Sequence, residues 1–261
     1  MAEAETGDRV FENDGWDTRF RIGLLVPDGD VGPESEWSAM LPPGVAINVS
    51  RFEFPTLPVK QGPYKITTEP VDFVAAPGPL DSAVKILASA NSLDIIALGF
   101  TSNSYVSDDE CLVKRLTEKS RGRPVVTTGQ AFLAAIAALD AKNVMLVDPP
   151  WFPPELTQRG QEWLENKGTT VAWSGMADIP SGQANVHPTG LYRWLRKNIA
   201  PGTDLILTGG NGFRTVGVVR AVEADIGIPM VTANSALLWH SLNNLGYPAS
   251  AVTRYGCLFR R

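Results

Sequence analysis

The chain has 261 residues, of which 44% are hydrophobic and 20% are charged, a composition typical of globular enzymes and unlike that of disordered segments. Its 23 basic and 28 acidic residues give a net charge of −5, which disfavours nucleic acid and acidic membrane surfaces as partners. No apolar run approaches the ~20 residues of a membrane-spanning helix.

Cysteine and histidine usage predicts neither a disulfide framework nor a metal site. Cys111 and Cys257 lack metal-ligand spacing, and His187 and His240 are far apart in sequence. Two free thiols are typical of a reducing compartment, so we expect a cytoplasmic protein. The polar residues 1–20 contain no hydrophobic signal core and predict a loosely docked N-terminal extension.

The first half of the chain alternates short apolar runs with amphipathic segments. Strands are predicted at 21–27, 45–52, 95–98 and 123–128, and helices at 79–90 and 108–120. The proline-rich stretch from Thr56 to Ala76 predicts a long loop that could act as a lid.

The second half repeats this order. Predicted helices cover 130–140, 154–167, 189–198 and 235–245, and predicted strands cover 143–150, 170–173, 205–208 and 229–233, with a loop at 175–188. Such alternation indicates an α/β fold with parallel sheets and ligands at the carboxyl ends of the strands. We predict two similar Rossmann-like lobes related by a pseudo-two-fold axis, with a cleft between them. Residues 21–128 plus 235–261 would form one lobe and 129–234 the other.

Two strand ends open into turns suited to an anionic ligand. The strand at 205–208 runs into Gly209, Gly210, Asn211 and Gly212, and the strand at 95–98 runs into a hydroxyl-rich turn at 101–104. Glycine lets the backbone approach a ligand, and a new helix presents unpaired N–H groups. These turns therefore predict two walls of one cleft, although a tight strand–helix corner would look the same.

Five motifs resemble the aspartate/glutamate racemase superfamily, specifically its maleate isomerase and arylmalonate decarboxylase branch. They are IGLLVP at 22–27, TSNSYV at 101–106, PVVTTGQAFLAAIAAL at 124–139, DLILTGGNGFRT at 204–215 and GIPMVTANSALLWHSL at 227–242. The resemblance implies chemistry without a cofactor at a carbon beside a carboxylate, with hydroxyls and backbone N–H groups stabilising an oxyanion. It also implies one cysteine in each turn, as a proton donor or nucleophile. We expect a small-molecule substrate and a homo-oligomer.

This sequence departs from that pattern at both cysteine positions, which correspond to Phe100 and Gly209. Neither a phenyl ring nor a hydrogen can donate a proton, so cysteine-dependent racemisation or isomerisation is not expected. The resemblance keeps Thr101 and Ser102 as binding residues in the first turn, and Asn211, Arg214 and Thr215 match its pattern in the second.

Carboxylates are the candidate replacements for the thiols. Asp30 and Asp148 lie at equivalent ends of the first predicted strands of the two lobes, and we expect both to face the cleft as an acid/base pair. Alternatively, each caps a turn or the next helix. Two carboxylates would repel a dicarboxylate, so the predicted substrate is less anionic than one.

Each of the remaining candidate residues could have a structural role instead of a functional one. His240 could shuttle protons or simply pack beside Trp239. Arg214 could bind the ligand or form a supporting ion pair, and Asn234 could bind the ligand or cap its helix. Phe100 would be an apolar wall of the pocket.

Three functions remain open at this stage. The first is a lyase, isomerase or hydrolase that acts on a small carbonyl or carboxyl compound through carboxylate acid/base groups. The second is a catalytically silent relative that binds a metabolite as a sensor or carrier. The third is maleate isomerase-like or arylmalonate decarboxylase-like activity with a relocated proton donor.

Overall fold

The computed structural model describes residues 15–55, 66–90 and 92–261, and within them eight strands form two four-stranded parallel sheets. The first sheet has the order β2-β1-β3-β4, with β1 Phe20–Pro27, β2 Val45–Phe52, β3 Ile95–Leu98 and β4 Val125–Thr127. The second has the equivalent order β6-β5-β7-β8, with β5 Asn143–Asp148, β6 Thr170–Met176, β7 Leu205–Thr208 and β8 Met230–Thr232. The predicted two-lobed α/β fold is confirmed.

Helices flank both sheets. In chain order they are α1 Gly32–Met40, α2 Glu69–Ala75, α3 Pro79–Leu87, α4 Thr101–Val106, α5 Asp109–Lys119, α6 Thr128–Ala138, α7 Pro154–Asn166, α8 Pro188–Asn198, α9 Val219–Ile226 and α10 Ala233–Asn244. Short 3₁₀ turns cover Gln183–Asn185, Val216–Val218, Ala249–Ala251 and Cys257–Arg260.

The register of the central strands makes the two lobes equivalent residue by residue. Leu25 of β1 pairs with Leu98 of β3, and Val147 of β5 pairs with Thr208 of β7. The next residue along β3 and β7 is a glycine in both lobes. Gly99 donates its N–H to Leu25 O at 2.9 Å, and Gly209 donates to Val147 O at 3.1 Å. The two glycine corners are therefore counterparts at the carboxyl edges of their sheets.

Matching capping boxes start the two helices that lie between the sheets. Thr127 caps α6 with Gln130, and Thr232 caps α10 with Ser235, each pair exchanging side-chain-to-backbone hydrogen bonds. α6 and α10 pack on each other, and α10 also contacts α1 and β4. Buried side chains of both sheets and both helices form one apolar cluster, which joins the lobes into one body.

The structure corrects several predicted boundaries. Residues 56–65 of the predicted 56–76 loop lie outside the described residues, and Glu69–Ala75 of that stretch is a helix. The predicted 101–104 turn is the first turn of α4. β6 continues to Met176, into the stretch predicted as a loop. Among the described helices, none is both long and apolar enough to cross a bilayer.

Candidate active site

A pocket of about 110 Å³ opens where the carboxyl ends of the central strands of both sheets meet. Both glycine corners contribute to it, as predicted for ligand sites in parallel α/β sheets. The described residues that line it are Pro27, Asp28, Gly29, Asp30, Phe54, Ile66, Gly99, Phe100, Thr101, Ser102, Trp151, Phe152, Gln183, Gly210, Asn211 and Gly212.

Aromatic side chains form the apolar wall. Phe100 packs edge-on against Phe52 and Phe54, with ring centroids 5.5 Å apart in each pair. Trp151 packs edge-on against Phe213 at 6.0 Å, and its carbonyl accepts a hydrogen bond from Ile66 N–H at 3.0 Å. These contacts hold the aromatic rings in place and make one side of the pocket suited to an apolar ligand group.

Asp30 supplies the carboxylate on the opposite, polar side. Its side chain is 9% exposed, and its Oδ1 accepts the Gly32 N–H at 2.9 Å, just inside the start of α1. Burial raises the pKa of Asp30 to about 6, while the Gly32 hydrogen bond and the positive charge of Arg51 oppose that rise. A carboxyl group with this pKa can accept or donate a proton near neutral pH.

The second glycine corner approaches Asp30 closely because it lacks side chains. A Cβ on Gly212 would lie 3.0 Å from both Asp30 carboxylate oxygens and 2.8 Å from Gln183 Nε2. Gly210 adopts a left-handed φ of 72°, which favours glycine. The N–H groups of Asn211 and Gly212 have no hydrogen-bond acceptor among the described residues, so they are available to an oxyanion of the ligand.

A chain of buried side-chain hydrogen bonds connects the two corners. Asn211 Oδ1 accepts from Thr101 N–H at 2.8 Å, Thr101 Oγ at 2.6 Å and Thr128 Oγ at 3.3 Å. Asn211 Nδ2 donates to Asn234 Oδ1 at 3.0 Å. Asn234 Nδ2 in turn donates to Asn211 O at 2.8 Å and to Glu36 Oε2 at 2.7 Å. Both lobes therefore hold Thr101 and Asn211 in fixed positions.

Glu36 ends this chain on α1. Its Oε1 accepts the N–H groups of Thr215 at 2.6 Å and Val216 at 3.0 Å, just after the second glycine corner. The side chain is 7% exposed, and burial raises the pKa of Glu36 to about 7 against these hydrogen bonds. In the sequence, Glu36 is an acid near the start of a helix, where acids are common, so its buried role was missed.

Asp148 does not lie in the pocket. The strand register makes Val26, rather than Asp30, its counterpart in the first lobe, so the predicted equivalence of the two acids is wrong. Asp148 is fully buried, and Tyr105 donates its hydroxyl to Asp148 Oδ1 at 3.2 Å. A Cβ on Gly209 would lie 2.0 Å from Asp148 Oδ1, so this carboxyl group fills the space beside Gly209.

Four other predicted site residues also lie outside the pocket lining, and one of them is Gly209, which lies beside Asp148. Arg214 is exposed, and His240 is half-buried beside Trp239 with a pKa lowered by burial. Asn234 does not cap its helix, because Thr232 does so, but it supports Asn211 from below. Of the predicted residues, the pocket brings together Asp30, Phe100, Thr101, Ser102, Gly210, Asn211 and Gly212.

Other lining residues were missed because they carry no motif. Phe54 follows β2, while Trp151 and Phe152 follow β5; aromatic residues at such places are usually interpreted as core. Gln183 belongs to the stretch predicted as a loop, and its Oε1 accepts Val31 N–H at 3.3 Å. No group of three or more metal-ligating side chains occurs among the residues that the structure describes.

The fold and pocket define a two-lobed α/β protein with a pocket between pseudo-symmetric halves. The model of the arylmalonate decarboxylase family matches residues 78–259, which is more than half of the chain. This chain belongs to that family.

Individual relatives agree with this assignment and are enzymes. A maleate isomerase of Pseudomonas putida is 25% identical over 233 residues, which cover 87% of this chain and 92% of that protein. A maleate isomerase of Geobacillus stearothermophilus is 24% identical over 236 residues, with the same coverage of both chains.

Solved structures show the same fold. A Nocardia farcinica maleate cis-trans isomerase variant with a covalently bound succinylcysteine intermediate has a TM-score of 0.80 at 21% identity, covering 92% of this chain and 98% of that one. A liganded arylmalonate decarboxylase variant has a TM-score of 0.77 at 23% identity, with the same coverage of both chains.

Proposed function

We propose that this chain is a cofactor-independent isomerase or lyase that acts at the carbon beside a carbonyl or carboxyl group, with Asp30 as the acid/base group. The observation that carries the proposal is the buried Asp30 carboxyl group beside the second glycine corner, where the N–H groups of Asn211 and Gly212 have no acceptor among the described residues. A base and an oxyanion site on one small pocket are what enolate chemistry requires.

In the proposed reaction, the carboxylate of Asp30 removes a proton from the carbon beside the carbonyl. The electron pair of the broken C–H bond becomes the enolate, whose oxygen accepts the N–H groups of Asn211 and Gly212. Protonated Asp30 then returns its proton to carbon. In a decarboxylation, the same oxyanion forms on loss of CO₂ and Asp30 supplies the proton. Thr101 and Ser102 line the site beside the reacting group.

The substrate would be less anionic than maleate. Of the described residues that line the pocket, Asp28 and Asp30 are carboxylates and none is cationic, so a second carboxylate on the ligand would meet repulsion. The aromatic wall favours a substrate with an apolar group.

Solvent deuterium incorporation tests the proposal without requiring net turnover. Arylmalonates, cyclic imides, hydantoins and enol lactones would be incubated with the protein in D₂O and followed by NMR. We expect one class to incorporate deuterium at the activated carbon, and Asp30→Asn to slow this by about 10²-fold or more, since positioned acid/base groups contribute about that much.

Asp28→Asn is the matched control, because Asp28 belongs to the same loop and pocket but is exposed. It should retain the exchange rate to within about threefold if its carboxylate only borders the site. Equal exchange rates in wild type and Asp30→Asn would contradict the proposed mechanism.

A catalytically silent binding protein is the second candidate. Asn211 already occupies the N–H and hydroxyl of Thr101, which leaves fewer groups for a reacting ligand. This alternative predicts saturable binding of a panel member with no deuterium incorporation and no chemical change by mass spectrometry.

A further inference from the structure

The hydrogen-bond chain beneath the pocket has only one consistent direction. Thr101 N–H can only donate, so the Asn211 atom 2.8 Å from it is the amide oxygen. Asn211 O can only accept, so the Asn234 atom 2.8 Å from it is the amide nitrogen. Two backbone groups thus identify the orientation that both amides adopt.

This direction of the hydrogen bonds bears on the protonation state of the Glu36 side chain. Asn234 Nδ2 donates to Glu36 Oε2, while two backbone N–H groups donate to Oε1. All three partners are donors, so they favour the ionised carboxylate against the burial that raises the pKa of Glu36 to about 7. The negative charge of Glu36 therefore stabilises the same direction of the amide pair. Glu36 is buried in the protein, as is its partner Asn234, which is 1% exposed.

The same direction determines what Thr101 can offer a ligand. Its hydroxyl lies 2.6 Å from Asn211 Oδ1, which can only accept, so the hydroxyl proton is committed to Asn211. Towards the pocket, Thr101 Oγ can then only accept a hydrogen bond. Asp30, which also lines the pocket, is an acceptor too when ionised.

We propose that Glu36 is a positioning residue that fixes the direction of the Asn234–Asn211 amide pair and thereby makes Thr101 an acceptor, so that the pocket selects a ligand with an N–H donor beside its carbonyl group. The ligand class is a small amide or imide rather than a dicarboxylate. This inference rests on the pocket of the proposed function, but it concerns recognition and does not require the proton transfer.

Succinimide and N-methylsuccinimide are the probes, since they differ in the one donor, and succinate is the dicarboxylate comparison. Titration calorimetry or ligand-observed NMR would give the dissociation constants. We expect wild type to bind succinimide at least tenfold more tightly than either of the other two. The absence of succinimide binding at millimolar concentration, or equal binding of the N-methyl compound, overturns the proposal.

Three variants separate the roles. Thr101→Ser keeps the hydroxyl and should keep the preference, whereas Thr101→Val removes the acceptor and should reduce the preference to threefold or less. Glu36→Gln places an amide nitrogen opposite Asn234 Nδ2, because the two backbone N–H groups retain the Gln carbonyl. Its preference should also fall to threefold or less, in protein whose fold is verified by circular dichroism.

The binding preferences of these variants test the positioning role of Glu36. If Glu36→Gln folds and keeps the tenfold preference, the positioning role of Glu36 is wrong. If Glu36→Gln fails to fold, Asn234→Ala breaks the same chain one link later, and a retained preference in that variant overturns the relay. Deuterium incorporation is measured separately, so a pocket that shows the N–H preference without exchange rejects the enzyme proposal and leaves this one standing.

Discussion

The two buried carboxyl groups of Asp30 and Asp148 lie in different surroundings. Asp30 lines the pocket, whereas Asp148 is sealed beneath Gly209 and contacts Tyr105. Burial raises the pKa of Asp148 to about 7 from an ordinary 3.8. Between these values the folded protein retains a proton that the unfolded chain has lost, so the stability contribution of Asp148 falls as pH rises from about 4 to about 7.

We therefore predict that Asp148→Asn stabilises the protein at alkaline pH. The Asn carbonyl can still accept from Tyr105, and its amide can donate to the hydroxyl of Thr157, which interacts with the Asp148 carboxyl group in the wild type. A shift from 3.8 to about 7 corresponds to an upper limit of about 4 kcal/mol, at about 1.4 kcal/mol per pKa unit.

Urea unfolding at pH 5, 7 and 9 checks this prediction. The advantage of Asp148→Asn should grow with pH up to about 8 and then level off. The exposed Asp178→Asn serves as the control and should show no such trend. An Asp148→Asn variant that is less stable than wild type at pH 9 would show that the ionised carboxylate is needed.

Neighbouring side chains, rather than the backbone conformation, require a glycine at Gly209. A Cβ there would lie 2.0 Å from Asp148 Oδ1 and 2.6 Å from the Tyr105 hydroxyl. We expect Gly209→Ala to lower the free energy of unfolding by about 1–3 kcal/mol, the usual cost of overpacking. Gly190→Ala in α8 meets no atom within 4 Å and should be neutral or stabilising; equal stability of the two variants would argue against the packing at Gly209.

Most pocket residues that sequence could identify belong to the two corners. Glycine, threonine and asparagine after an apolar strand have a backbone reason to be there, which made Thr101, Asn211 and Gly212 identifiable. Trp151 and Gln183 became site residues only through the contact between lobes, which local patterns do not encode. Glu36 was missed because an acid in the first turn of a helix is common, and its burial depends on the opposite lobe.

Elements were easier to predict than their ends. The alternation of apolar runs with amphipathic segments predicted all eight strands of the described sheets. It missed α2, whose seven residues within a proline-rich stretch are too few to show a helical pattern, and it interpreted the start of α4 as a turn. In both cases packing against neighbouring elements stabilises a helix that is too short to form alone.

The paired capping boxes give a prediction at this scale. Thr127→Ala and Thr232→Ala each remove the side-chain acceptor at the start of α6 or α10, so each should cost about 1 kcal/mol. Thermal unfolding would measure both, with exposed Thr189→Ala in α8 as the control, since no side-chain cap starts that helix. A loss in only one of the two would contradict the equivalence of the lobes.

At the scale of the whole molecule, the two-lobed fold followed from repetition. The same order of strands and helices occurs twice, and parallel strands place their carboxyl ends at one edge, so the position of the cleft was predictable. Which acid enters it was not, because that depends on the register of β1 and β5 and on the loop after β1. The fold therefore determines where the pocket lies, and the proposed chemistry depends on Asp30.

The pH dependence of deuterium incorporation tests this claim most directly. The pKa of Asp30 is raised to about 6 by burial, and a base must be deprotonated, so the exchange rate in wild type should rise through about pH 6 to a plateau. Asp30→Asn should lose this rise of the exchange rate with pH and most of the rate itself. Asp28→Asn should retain both the rise and the rate. A wild-type profile that is flat between pH 5 and 8, or one that Asp30→Asn leaves unchanged, would contradict the account.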